Sequence, residues 1–266
     1  MKLTKILFYM NFGLLRVNCL CILNTNILKG KIMAFIISIE GTDGSGKQTQ
    51  TALLHDYLTK KYVNGNVSKL SFPNYESPSS APVRMYLGGD LGDDPNVLDA
   101  YQASSLFAVD RLLTVKQNDY IFGEENGIII LDRYVQSNMI HQAGKIGDLQ
   151  KVDNFLNWVD DLEFDKLKLP MPNLILFLDM PVEKSLELAK NRGELKIGGT
   201  KDIHESNVKH LEAAYNTGHY VAHKYKWKIV NCVDKNNSIK TIDEIHRDIV
   251  KIVENELNKQ NFNEYN

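Results

Sequence analysis

Three cysteines in 266 residues are too few for a disulfide framework. Two of them, Cys19 and Cys21, fall near the start, so the body keeps only Cys232 and a reducing compartment is indicated. Seven prolines and 17 glycines exclude a collagen-like chain, and no stretch reads as a linker between domains. Neither sign of charge is in excess. Lys and Arg number 31 against 33 Asp and Glu, a formal net charge of −2, so no global basic field recommends a nucleic-acid partner. Long apolar runs are missing too: no uncharged stretch reaches the ~18 residues of a membrane span, and no membrane partner is expected. What is left is ordinary globular composition, 43% hydrophobic and 24% charged, in a length that suits one large α/β domain or two small ones.

The first thirty-two residues stand apart. They hold Lys2, Lys5, Arg16, Lys29 and Lys31 and no acid, and Arg16 with several asparagines interrupts their apolar runs. A signal peptide wants a small-residue cleavage site, for which Cys19 is a poor substitute, and a mitochondrial leader wants more arginine and serine. Three readings stay open for residues 1–32: an over-extended start ahead of Met33, an organellar leader, or a genuine extension. The first is preferred, and with it a cytoplasmic location. One domain is expected over residues 33–257, followed by a polar, frayed tail over 258–266.

From Ala34 onward, short apolar runs alternate with amphipathic stretches. Phe35–Ile39, Val67–Phe72, Ile128–Leu131, Leu174–Leu178 and Lys228–Cys232 are rich in β-branched residues and bounded by turns or charges, as buried parallel strands are. Helical spacing recurs at Leu106, Val109 and Leu113, at Val208, Leu211 and Tyr215, and at Ile242, Ile245, Ile249 and Ile252. This alternation predicts an α/β fold, a doubly wound parallel sheet of about five strands with helices on both faces.

Gly41-Thr42-Asp43-Gly44-Ser45-Gly46-Lys47 fits a GxxxxGK phosphate loop, set between a strand-like run and the helix-like Thr49–Lys60. Glycines let backbone N–H groups close around phosphate oxygens, the helix N-terminus adds partial positive charge, and Lys47 reaches the outer phosphates. The next position, where Ser or Thr ligates Mg²⁺, holds Gln48, with Thr49 after it. A Gln carbonyl can ligate a hard cation, or phosphates and water alone can hold it; reduced metal dependence or lost activity also stays open.

Further along, Asp132-Arg133-Tyr134 ends the third apolar run. Carboxyl ends of parallel strands line the ligand crevice, so this acid and guanidinium are expected to face the phosphate loop. Arg133 suits an acceptor phosphate because its fork binds oxyanions bidentately, and Asp132 can orient metal-bound water. Phe107 and Arg111 lie four apart on one helical face. Arg192 to Lys201 is a basic, glycine-jointed segment, after which Asp202 and Glu205 read as a capping box.

With these motifs in this order, residues 35–257 resemble the thymidylate kinase family of P-loop nucleoside-monophosphate kinases. The resemblance implies a P-loop NTPase fold, ATP and Mg²⁺, and transfer of the γ-phosphoryl group to dTMP. Asp132 and Arg133 match the family's catalytic pair. Phe107 matches the ring that stacks on thymine, Arg111 the group on the base edge, and Asp43 the acid on the sugar 3′-hydroxyl. Ser137, Asn138, His141 and Gln142 fall where base and deoxyribose contacts lie, with His141 where a ring commonly sits under the sugar. The Phe72-Pro73-Asn74-Tyr75 stretch lacks the family's arginine, which leaves Tyr75 or Arg84 to grip the acceptor phosphate. Residues 192–202 resemble the lid; the family places a catalytic arginine in the phosphate loop or in the lid, and since this loop holds none, Arg192, Lys196 and Lys201 are expected to supply that positive charge. A homodimer joined through helices is implied. A kinase for another pyrimidine deoxynucleotide or deoxynucleoside, or a non-catalytic nucleotide-binding regulator, remains the alternative. A guanine-nucleotide switch is disfavoured, because no Asn-Lys-x-Asp element follows a late strand.

Overall fold

The computed structural model describes residues 34–62, 66–191 and 207–260. Five strands, β1 (Phe35–Glu40), β2 (Val67–Ser71), β3 (Ile128–Asp132), β4 (Leu174–Asp179) and β5 (Lys228–Asn231), form one sheet in the order β2-β3-β1-β4-β5. Every neighbouring pair is parallel. These are the five apolar runs of the sequence, each within a residue of its expected bounds. Between and around them lie α1 (Lys47–Lys61), α2 (Ala81–Leu87), α3 (Ala100–Gln117), α4 (Asp119–Phe122), α5 (Val135–His141), α6 (Leu149–Asp160), α7 (Val182–Asn191), α8 (Val208–Lys224) and α9 (Ile242–Lys259).

The two-residue period of a strand sends neighbouring side chains to opposite faces. Along β1, Phe35, Ile37 and Ile39 join one core with Leu54 and Leu58 of α1 and Ile245, Ile249 and Val253 of α9. Ile36 turns to the other core, with Met139 and Ile140 of α5, Phe155 and Leu156 of α6, and Val221 of α8. Helices on both faces are the physical requirement of a strand apolar along its whole length. Among the described residues, no helix is long and apolar enough to cross a membrane.

Two local expectations change, and a third falls outside the described residues. In α3, the apolar residues Val109 and Leu113 are 48% and 44% exposed, and the buried face carries Ser104, Asp110, Arg111 and Thr114. The helix is turned by the polar partners its inner face finds, not by its apolar stripe. Helix α9 runs to Lys259, into the stretch expected to be tail, held by a Thr241/Glu244 capping box and a buried seam through Leu257. Helix α8 begins at Val208 with Asn207 as its cap, accepting from the His210 N–H at 3.1 Å; Asp202 and Glu205 lie outside the described residues.

Candidate active site

β1 ends at Glu40 and the chain turns through Gly41–Gly46 into α1. Gly46 is the helix cap at φ 89°, and a Cβ there would meet nothing within 4 Å, so backbone conformation alone selects glycine. At Gly41 space decides as well, since a Cβ would lie 2.9 Å from the Leu178 carbonyl oxygen of β4. The Lys47 ammonium donates to the carbonyls of Gly41 (3.0 Å) and Thr42 (2.7 Å) and stands 3.9 Å from the Asp43 carboxylate. Burial lowers its pKa to about 8; Arg133 adds to the shift and the carboxylates of Asp43, Asp132 and Glu40 oppose it. The Thr42 and Ser45 hydroxyls are buried in the same turn, without a hydrogen-bond partner among the described residues. Gln48 and Thr49 are exposed on the first turn of α1.

Parallel pairing sets Ile39 opposite Asp132, so the phosphate loop and Asp132-Arg133 leave the sheet side by side. Arg133 adopts φ 65°, and its N–H donates to the Ile39 carbonyl at 3.1 Å. Its guanidinium pairs with the Asp43 carboxylate and lies 3.2 Å from His141 Nε2. A guanidinium only donates, so Nε2 accepts and the ring proton sits on Nδ1. Burial pushes His141 down to about 3, and the Arg133 charge adds to that shift. For Arg133, burial opposes ionisation, but Asp43, Asp132 and Glu40 outweigh it and hold the group protonated. The His210 ring, from the first turn of α8, stacks on His141 with centroids 5.8 Å apart and planes 22° apart. Burial lowers His210 to about 4.

Phe107 and Arg111 share a helix yet part company. Phe107 is half-buried and meets Tyr86 edge-on, with centroids 6.4 Å apart. Arg111 is fully buried: Nε and Nη2 each donate to the Glu163 carboxylate at 2.5 Å, and Nη1 approaches the Tyr134 carbonyl at 3.4 Å. Glu163 lies in a π-helical continuation of α6, Asp161–Lys166, and also accepts from Asn138 Nδ2 at 3.1 Å. The Arg111 guanidinium is therefore committed to an interior network and not presented to a base edge on those two nitrogens. Ser137 gives its hydroxyl to Glu40 at 2.7 Å. Gln142 is buried, its side-chain oxygen without a hydrogen-bond partner among the described residues.

The segment after β2 is tied to α3 through Asp110, which accepts from the Asn74 N–H (2.9 Å) and Ser79 Oγ (2.6 Å). Phe72 is buried, precedes a cis Pro73, and packs on Tyr134 at 5.4 Å. Tyr75 is 52% exposed, and Arg84 Nη1 donates to the carbonyls of Tyr75 (3.0 Å) and Ser77 (3.2 Å).

Asp43, Lys47, Asp132, Arg133 and His141 thus come together at the carboxyl ends of β1 and β3. Arg192, Lys196 and Lys201, with the rest of the expected lid, lie outside the described residues. Glu40, Asp110, Glu163 and His210 escaped the sequence reading. Only Glu40 carried a usable signal, as an acid closing an otherwise apolar strand directly before the loop.

A family model for thymidylate kinase matches residues 39–249. A probable thymidylate kinase of Methanococcus aeolicus is 29% identical over 220 residues, spanning 81% of this chain and 93% of the relative. A thymidylate kinase of Mycobacterium tuberculosis is 31% identical over 176 residues, 65% of this chain and 78% of its own. Among solved structures, a thymidylate kinase from Candida albicans superposes with a TM-score of 0.61 at 22% identity, covering 87% of this chain and 94% of that one. That likeness carries the fold; the match of the family model across most of the sheet and its helices, together with the phosphate loop facing Asp132-Arg133, places the chain in the thymidylate kinase family.

Proposed function

We propose that this enzyme transfers the γ-phosphoryl group of ATP to dTMP, giving dTDP. The observation that carries the reading is the Asp43–Arg133 ion pair, which joins the phosphate loop at the end of β1 to the acceptor-side arginine at the end of β3. A donor triphosphate on Gly41–Lys47 and an acceptor monophosphate at Arg133 then lie end to end.

Phosphoryl transfer needs positioning and charge neutralisation more than covalent help. Lys47 leaves the carbonyls of Gly41 and Thr42 for the outer phosphates, and Arg133 trades Asp43 for the acceptor phosphate. Asp43, released, accepts from the sugar 3′-hydroxyl, while Phe107 stacks on the base. Arg111, through Glu163 and Asn138, braces the floor beneath that pocket. His141, held neutral, adds no charge beside the sugar.

Mg²⁺ fits this site through Asp132, a carboxylate near enough to Lys47 and Arg133 to stabilise both charges. Such an ion keeps several waters and needs one or two carboxylates besides phosphate oxygens, so the exposed Gln48 is not required as a ligand. Bound there, it would neutralise charge on the phosphate oxygens. Residues 33–257 form the catalytic unit in this reading, with 192–202 as the lid whose Arg192, Lys196 and Lys201 close on ATP. The outward Val109 and Leu113 of α3 support a homodimer through that helix. The buried free thiol of Cys232 accords with the cytoplasm.

The test is coupled ADP release across dTMP, dUMP, dCMP and deoxynucleosides, with Lys47→Ala and Arg133→Ala alongside. Turnover with dTMP foremost is expected, and each variant should lose ~10²–10³ in rate or more with the fold intact. ATP binding without ADP release for any acceptor, or wild-type rates from either variant, would overturn the reading.

A further inference from the structure

Glu40 carries a carboxylate into the interior with 0% exposure, and none of the chemistry above uses it. Its Oε1 accepts from Ser38 Oγ (2.8 Å) and from the Tyr134 N–H (2.7 Å), and its Oε2 accepts from Ser137 Oγ (2.7 Å). Two of these three bonds end on the segment that follows Arg133. The backbone there takes an uncommon conformation. Arg133 holds a left-handed φ of 65°, which disfavours any residue with a Cβ. Tyr134, next in line, caps α5 without a side-chain hydrogen bond of its own, and it is wholly buried, so its N–H has no water to turn to. Burial raises the Glu40 pKa above the usual carboxylate range; an acid kept in so unfavourable a place calls for a reason.

We propose that Glu40 is a positioning residue for Arg133: from the end of β1 it pins the backbone at Tyr134 and the hydroxyl of Ser137. The Arg133 guanidinium can then move from Asp43 to the acceptor phosphate on a fixed root. Hydrogen bonds, not charge, do this work. Glutamine keeps Oε1 for Ser38 and Tyr134, and its Nε2 donates to Ser137 Oγ, which can accept as readily as donate. Alanine removes all three contacts, and aspartate withdraws the carboxylate by one methylene from Tyr134. The inference rests on Arg133 as the group that takes the acceptor phosphate.

The experiment compares full-length wild type, Glu40→Gln, Glu40→Ala, Glu40→Asp and Arg133→Ala. Steady-state ADP release with dTMP and ATP is measured beside equilibrium titration with a fluorescent ATP analogue and thermal melting. Glu40→Ala and Glu40→Asp should lose about 10²-fold in kcat with a raised KM for dTMP, since small misplacements of a catalytic group cost that much. Their affinity for the ATP analogue should stay within about twofold, and Glu40→Gln should keep turnover within about threefold of wild type. Three results would overturn the proposal: full activity in Glu40→Ala, ATP affinity that falls with kcat, or Glu40→Gln as impaired as Glu40→Ala. Should neither Glu40→Ala nor Glu40→Asp fold, the carboxylate is a fold-stabilising group and the proposal falls as well. Arg133→Ala separates the two levels. If it turns over normally, the role of Arg133 itself is lost; if it is dead while Glu40→Ala is active, only the role of Glu40 is lost.

Discussion

Replacing Glu163 by leucine should cost a large part of the stability of the domain. Arg111 and Glu163 are 2% and 1% exposed and share two hydrogen bonds of 2.5 Å, so removing the acid strands a guanidinium away from water. Breaking a buried pair from one side costs about 3–5 kcal/mol. For a domain of this size each kcal/mol moves Tm by about 2–4 °C, so a fall of about 6–20 °C is expected. Asn138 loses one of its two acceptors in the same variant but keeps the Ser104 carbonyl at 3.3 Å, which limits its share. The double replacement Arg111→Met with Glu163→Leu removes both charges and keeps similar bulk, and such exchanges are often neutral or stabilising. It should therefore recover most of the loss, with a coupling energy of up to about 3 kcal/mol. Urea denaturation followed by tryptophan fluorescence reads both, because Trp158 lies in the helix that leads into Glu163. A Glu163→Leu variant within about 1 kcal/mol of wild type, or a double variant no better than the sum of the singles, refutes the buried-pair account.

Phe107→Ala should raise the KM for dTMP by about tenfold or more, because base–aromatic stacking is worth about 1–3 kcal/mol, and leave the KM for ATP alone. Equal shifts in both would remove the ring from the base site. Stability should also depend on pH through the stacked histidines. His141 and His210 fall from 6.5 to about 3 and about 4, so below pH 6.5 the unfolded chain binds protons that the folded one refuses. Stability is present above that value and declines toward pH 4, by about 1.4 kcal/mol per pH unit for each ring. Glu40, shifted upward, acts in the opposite sense. His210→Phe keeps the stacked plate and removes one titration, so urea midpoints between pH 7 and 5 should fall less steeply in that variant; an unchanged slope contradicts the assignment. Placing glutamates at both Val109 and Leu113 should yield a monomer by sedimentation equilibrium, and a wild type already monomeric at micromolar concentration would end the dimer reading.

Much of this was legible beforehand because the signals are local. A β-branched run carries its own preference for a buried strand, and Phe35–Glu40 or Ile128–Asp132 could scarcely be anything else in this alternation. Glycines at the turn from β1 into α1 declare their purpose through backbone freedom, as Gly46 does at φ 89°. Helix α3 was legible as a helix, but not by orientation. Its apolar residues Val109 and Leu113 face outward, because Asp110 and Arg111 find partners inside.

Periodicity reveals that two sides of a helix differ; it does not say which one is turned inward once a polar network can compete with apolar burial. Glu163 sits 52 residues from Arg111, and no spacing rule links them. So the sequence by itself determined the sheet, its five strands, the phosphate loop and the residues that border it. Only the tertiary structure decided that Arg111 is spent on Glu163, that Glu40 holds the turn after Arg133, and that His210 backs His141. All three are contacts between distant segments; the first two form because a buried charge or N–H must find its partner wherever the fold brings one within reach, and the third is the stacking of two neutral rings.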